Sequence, residues 1–352
     1  HTRYWRDWSS DVCSSDLASP NASAVSGRWI EAVDTATDGR LAFSTLGRIW
    51  LSDANGASAH RLTTVARARE FDPAWSPDGR WVAFVTWDET GGALWKARTE
   101  GPGAPVRLTT APARWSDPQW SADGRTISAT MATLAASQRP MPGGVPPDGQ
   151  VVEVGADGGA VRVIGPAPKA RPHARPALGT AAATLAGGVH VALPRPRESG
   201  SVVLRGATTI TMRGDEVVQN ADVVLTDGRI RGVGTRGAVA VPAGANVIDV
   251  SGKFIVPGFI DLHAHWGAGT ESFPAPEGTN GFANLAFGVT TIRDPQVTAD
   301  IFGLADMVEV DGVPSPRVLS TGPGIFMDTD FGSLDDARRV LRRYRDAYGT
   351  AY

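Results

Sequence analysis

The chain has 352 residues, 42% apolar and 20% charged, which suits two or three folded domains and excludes wholesale disorder. Its net charge of −3 weakens the case for nucleic-acid or anionic-membrane partners, which usually need a basic excess, and no run approaches the ~18 uninterrupted apolar residues of a membrane span. The single cysteine, Cys13, rules out an intrachain disulfide, and 41 glycines with 25 prolines favour a turn-rich β architecture.

Residues 1–19 read as a non-native or disordered tail. The triplet Ser-Ser-Asp occurs twice, at Ser9–Asp11 and Ser14–Asp16, with no helical or strand period around it. There is no basic stretch leading into an apolar one, so it is not a signal peptide. It resembles a translated sequencing-library adapter. No Met opens the chain, so the true N-terminus, and any export signal with it, is expected to be missing.

From residue 20 to 200 the chain repeats itself. Asp72-Pro73-Ala74-Trp75-Ser76-Pro77-Asp78-Gly79-Arg80 recurs 45 residues later as Asp117-Pro118-Gln119-Trp120-Ser121-Ala122-Asp123-Gly124-Arg125. Asp38-Gly39-Arg40 precedes them, and Arg61-Leu62-Thr63-Thr64 recurs as Arg107-Leu108-Thr109-Thr110. A period in the forties with strand-like content signals propeller blades. Ser-x-Asp-Gly predicts a tight turn, since Asp bonds nearby backbone and Gly accepts positive φ. Trp81–Trp87, Ile49–Asp53, Leu94–Arg98 and Gln150–Val154 read as blade strands. The repeat resembles the WD40-like propellers of the TolB type. Three blades are legible where propellers have four to eight, so this is read as a partial propeller. Residues 166 to 200 are a candidate degenerate blade. The propeller could serve as a gate or docking surface, or simply as a packing module.

Residues 201–252 read as a small β-sandwich of short strands at Val202–Arg205, Thr209–Met212, Ala221–Thr226, Arg229–Val233 and Asn246–Val250, with a hairpin turn at Asp227-Gly228. Residues 253–352 open with Val256-Pro257-Gly258-Phe259-Ile260-Asp261-Leu262-His263-Ala264-His265. On a strand, Phe259, Asp261, His263 and His265 share a face. Two neutral imidazoles at i and i+2 can share one metal ion, Zn²⁺ or a similar divalent cation. A bare His-x-His is expected about 0.1 times by chance in such a chain, so alone it is only suggestive. A βα rhythm follows. Phe282, Leu285, Ala286 and Phe287 give a helical face ended by Gly288, and Val289–Pro295 reads as a strand. Ile301, Leu304, Ala305 and Val308 share a second helical face, and Arg317–Gly324 is a third strand. Ser333 caps a last helix with an apolar stripe of Leu334, Ala337, Val340, Leu341 and Tyr344.

The run from Val256 to His265, placed after a small β domain, resembles the first-strand signature of the amidohydrolase superfamily, and more closely its imidazolonepropionase-like branch. Gly288-Val289-Thr290-Thr291-Ile292-Arg293-Asp294 is also typical of that branch. The resemblance implies a (β/α)₈ barrel of ~250 residues, of which 253–352 would hold the first three or so βα units. It implies His263 and His265 as metal ligands. It further implies a carboxylated Lys or a Glu, two more His and an Asp on later strands, the Asp moving the proton between water and the leaving nitrogen. No His follows His265 and no Lys follows Lys253, so this chain supplies two of those ligands and no identifiable general base. Asp294, Asp328 and Asp330 could approach the metal face, with turn and structural roles weighing against each.

The fold class read from the sequence is therefore multidomain: partial β-propeller, small β-sandwich, and the start of a TIM-like metal-dependent hydrolase barrel. The function implied is a metal-dependent hydrolase of amide, cyclic amide or peptide-like C–N bonds acting on a small molecule, this chain being an incomplete and inactive piece. The rival is a non-enzymatic propeller-based binding protein with a vestigial barrel; a third option is another metal-barrel reaction such as deamination or decarboxylation. The resemblance to TolB-type fusions implies a bacterial periplasmic or secreted protein, and a homo-oligomer remains open.

Overall fold

A computed structural model describes residues 23–27, 30, 32–63, 68–88, 90–101, 103–134, 149–167, 191–196, 198–265, 279–295, 301–311, 315–322 and 332–346. The N-terminal tail, most of the candidate degenerate blade, Asp328 and Asp330 lie outside the described residues.

The repeated turn dictates the first architecture. In Ser76–Arg80 the Ser76 hydroxyl donates to Asp78 Oδ1 (2.6 Å), the same oxygen accepts the Arg80 N–H (3.1 Å), and Ser76 Oγ accepts the Trp81 N–H (3.0 Å). Ser121–Thr126 repeats the bonds at 2.7, 3.1 and 3.0 Å. Gly79 and Gly124 sit at φ 67° and 69°, a region that glycine enters without steric cost. These bonds hold the Asp78 and Asp123 carboxyls below their usual range, the serine hydroxyl being the largest cause for each.

Each turn joins the first two strands of a four-stranded antiparallel meander. Strand β1 (Ala24–Ser26) precedes the first, which holds β2 (Ala32–Thr35), β3 (Leu41–Thr45), β4 (Arg48–Ser52) and β5 (His60–Arg61). The second holds β6 (Arg69–Trp75), β7 (Trp81–Asp88), β8 (Gly91–Arg98) and β9 (Val106–Arg107). The third holds β10 (Arg114–Trp120), β11 (Thr126–Ala132), β12 (Gln150–Gly155) and β13 (Arg162–Pro166). These are the three blades expected from the repeat.

Their first strands lie against one another and are knitted across blades. The Trp75 N–H donates to Asp34 Oδ2 (2.7 Å), Trp120 Nε1–H to Ala74 O (3.0 Å) and Asp117 N–H to Asp72 Oδ2 (3.2 Å). Buried Glu70 accepts from Ile49 N–H (2.9 Å) and Thr63 Oγ1, clipping β6 to the first blade; burial pushes its carboxyl up. Apolar side chains fill the gaps between sheets. Ala42, Ile49, Leu51, Trp75, Val82 and Phe84 pack between the first two blades, and Phe71, Val85, Trp87, Leu94, Trp115 and Ile127 between the second and third. Strand β14 (Ala192–Pro194) pairs antiparallel with β1, and Val25 with Val191 covers Phe43, Leu46 and Trp50 on the outer face of the first blade. Among the described residues the blades do not close into a ring.

Residues 201–255 form one five-stranded mixed sheet, which corrects the expected sandwich of two sheets. The two runs at 202–205 and 209–212 are a single long strand, β15 (Ser201–Ile210), kinked at Gly206 (φ 93°). A glycine bulge bends the strand without ending its ladder. β15 pairs antiparallel with β16 (Val217–Thr226), which pairs with β17 (Arg229–Thr235). On its other edge the halves of β15 pair in parallel with β18 (Asn246–Asp249) and β19 (Phe254–Ile255). Arg205 makes two bonds (3.0 and 3.1 Å) to the fully buried Asp222.

The C-terminal part alternates strand and helix: β20 (Phe259–Asp261), α1 (Thr279–Ala286), β21 (Val289–Asp294), α2 (Ile301–Asp311), β22 (Arg317–Ser320) and α3 (Leu334–Asp346). The three strands are parallel in the order β20-β21-β22, the layout of βα units. Gly288 (φ 83°) ends α1, its N–H donating to Leu285 O (2.9 Å). Helix α2 is buried on more than the one face expected. Ile301, Phe302 and Ala305 cover Ile292 and Val318, while Met307 enters the cluster of Phe71, Trp87 and Trp115 between the blades. A helix clasped from both sides must be apolar on both. Glu309 pairs with Arg195 and with Arg317 (2.8 Å). The expected buried stripe of α3 is corrected: Val340 packs on the α2 cluster, but Leu334 and Leu341 are exposed, because α3 touches only the edge of that cluster. Tyr344 lies outside the residues whose side chains are described.

Candidate metal centre

Strand β20 ends at Asp261, so His263 and His265 stand in the loop that leaves its C-terminal end rather than on the strand itself. The expected shared strand face is corrected to this extent. The cause is local: Asp261 Oδ1 accepts the His263 N–H (2.9 Å), an Asx-type bond that turns the chain. The Ala264 N–H then donates to Arg293 O (3.1 Å), tying the loop back onto β21. The turn brings together the side chains that the alternation argument aligned. The two imidazole centroids are 5.2 Å apart, edge to face at 89°. His263 is exposed and His265 half-exposed.

Beside them stands Asp294, the last residue of β21 and 0% exposed. Its Oδ1 is 3.2 Å from His265 Nδ1. Its own carbonyl accepts from Thr321 N–H (3.1 Å) and Ser320 Oγ (3.0 Å), which anchors the end of β21 to the end of β22. Both imidazoles and the carboxylate therefore gather at the C-terminal ends of parallel strands, where α/β sheets place ligands. Among the described residues no group of three or more His, Cys, Asp or Glu side chains is arranged to hold an ion.

The sequence names Asp294 among the carboxylates that could approach the metal face, with a structural role weighing against it, and does not show its contact with His265. The signal available was its position: last on the second strand, level with the end of the first.

A separate groove of about 670 Å³ runs between the second and third blades. Trp81, Trp120 and the two repeated Asp turns line it. Lys96 lies 4.4 Å over the Trp81 ring and pairs with Asp157 (2.9 Å).

No protein-family profile matches the chain. It is 37% identical over 111 residues to an adenine deaminase of Paracoccus denitrificans, covering 31% of this chain and 18% of that protein. It is 42% identical over 69 residues to a D-hydantoinase of Streptomyces coelicolor, covering 19% and 14%. The chain thus spans less than a fifth of the length of these curated relatives. Among solved structures, a protein assigned as a prolidase from Bifidobacterium longum has a TM-score of 0.36 at 25% identity, covering 43% of this chain and 39% of that one. A protein assigned as TolB from Agrobacterium tumefaciens has a TM-score of 0.31 at 23% identity, covering 37% and 46%. At these scores neither likeness bears on the fold.

Proposed function

We propose that the protein is a metal-dependent hydrolase of C–N bonds in the amidohydrolase superfamily, with His263 and His265 as two of its metal ligands. The observation that carries this reading is the imidazole pair at the end of the first of three parallel strands. Its spacing fits the group. The two ring centroids are 5.2 Å apart, near enough for one divalent ion to be held by both imidazoles. The sequence signature and the similarity to proteins named adenine deaminase and D-hydantoinase support the same chemistry.

A divalent ion held there would supply a nucleophile from water at neutral pH and polarise the scissile carbonyl. The chain's own residues act around it. His263 and His265 donate nitrogen lone pairs. Asp261 shapes the loop that presents them, and the Ala264 amide pins that loop to β21. The substrate class is an amide, cyclic amide or peptide-like small molecule. No His or Lys follows His265, so His263 and His265 are the two ligands that this reading assigns.

The test is a panel of amides, cyclic amides and dipeptides offered to the product of the complete gene. Hydrolysis that chelators stop and that His263→Ala reduces at least a thousandfold supports the reading. Hydrolysis that survives either treatment, or no hydrolysis of any C–N substrate, refutes it.

A further inference from the structure

We propose that Asp294 is a positioning residue for this centre: its buried carboxylate takes the Nδ1–H of His265 and so turns Nε2 toward the ion. The proposal rests on the metal-centre reading above for its purpose, though not for its geometry.

Asp294 is fully buried with Oδ1 3.2 Å from His265 Nδ1. A buried carboxylate is costly unless donors face it. A neutral imidazole has one donor and one acceptor nitrogen, so a ring that gives its proton to Asp294 presents a bare lone pair at Nε2, the atom across the ring. Both groups are fixed independently of that contact. The Asp294 carbonyl is held by Thr321 and Ser320, and the residue before His265 is bonded to Arg293 O. Carboxylate and ring are thus mounted on the same strand end, which sets ring orientation as well as tautomer. Paired carboxylate–imidazole units of this kind raise ligand basicity and preset the ring for a metal. Asp294 itself is not catalytic, since in this arrangement it acts through His265 and touches neither ion nor substrate. The competing role is that of a direct third ligand.

The test uses the metal-free 352-residue chain and long-range ¹H–¹⁵N correlation of its ring nitrogens at alkaline pH. In the wild type His265 should be protonated at Nδ1 and bare at Nε2. Asp294→Ala should shift it toward the Nε2–H form that free histidine side chains prefer, and Asp294→Asn, whose amide oxygen still accepts, should keep Nδ1–H. A wild-type His265 carrying its proton on Nε2 overturns the proposal without any variant, as does a tautomer unchanged in Asp294→Ala. Zinc affinity, measured by competition with a chromophoric chelator, should fall about 10–100-fold in Asp294→Ala, the range for lost outer partners, and recover in Asp294→Asn. Equal loss in both, as deep as in His263→Ala, would make Asp294 a direct ligand and overturn the positioning role. If the wild type binds no zinc, the metal reading fails while the ring measurement still decides whether Asp294 sets the tautomer.

Discussion

Met307→Ala tests whether α2 is the wedge that joins the βα units to the blades. Met307 is 2% exposed and sits in the cluster of Phe71, Trp87, Leu108 and Trp115. Its Sδ lies within 3.4 Å of the place a Cβ on Gly47 would take. The substitution removes three heavy atoms, worth roughly 0.8 kcal/mol each, or about 2.4 kcal/mol of transfer free energy. The surrounding side chains are held by β-sheet ladders and collapse poorly, so the cavity adds to that, giving about 3 kcal/mol. Trp87 and Trp115 belong to the same cluster, so guanidinium unfolding followed by tryptophan fluorescence reports the change. Met212→Ala, at an exposed methionine, is the control and should stay within about 0.5 kcal/mol. A loss below about 1 kcal/mol at Met307, or equal losses at both positions, would show that α2 is not seated between the blades.

Three further outcomes follow from the packing. Arg205→Met takes the guanidinium away from the Asp222 carboxylate and should lower stability in denaturant unfolding, more than Asp222→Asn, which leaves no carboxylate charge to compensate. Because Arg205 holds the Asp222 carboxyl below its usual range, its contribution to wild-type stability is present above the unfolded value and fades as pH falls through the lowered one; Arg205→Met should flatten that acid limb. Asp72 behaves oppositely: burial first, then the Asp117 carboxylate, push it up to about 7. Its protonated form suits the fold, so stability from this site is full below about pH 4 and declines as pH rises toward about 7. Asp72→Asn should remove that decline, and an unchanged Tm–pH profile would refute the assignment. Gly206→Ala should destabilise by about 1–3 kcal/mol, since φ is 93° and a Cβ would collide with Ser251 Oγ; Gly165→Ala, in open space, should not.

The blades were legible because turn chemistry repeats in the text: Ser-x-Asp-Gly-Arg fixes its own hydrogen bonds, and the period announces the meander. The His pair was legible because spacing in a short motif survives local change. Alternation carried through residue 265 predicts one shared strand face, yet the Asx bond of Asp261 ends β20 early and the rings still meet. What sequence could not show is whatever depends on neighbours far along the chain. The kink at Gly206 was read as a gap between two strands, because a bulge and a loop look alike in one dimension. The second buried face of α2 was missed because its partner, the inter-blade cluster, lies far earlier in the chain. Asp294 stands in the sequence as one of three carboxylates that could approach the metal face, and only the parallel pairing of β20 and β21 sets it beside His265.

The central claim, that His263 and His265 grip one ion together, is tested most directly by zinc titration of the 352-residue chain followed by the ¹⁵N shifts of its ring nitrogens, which read weak binding too. The account predicts one zinc per chain, lost in His263→Ala and again in His265→Ala, and retained in His60→Ala, whose ring lies in the first blade. Zinc bound equally by all four proteins, or by none, would contradict it.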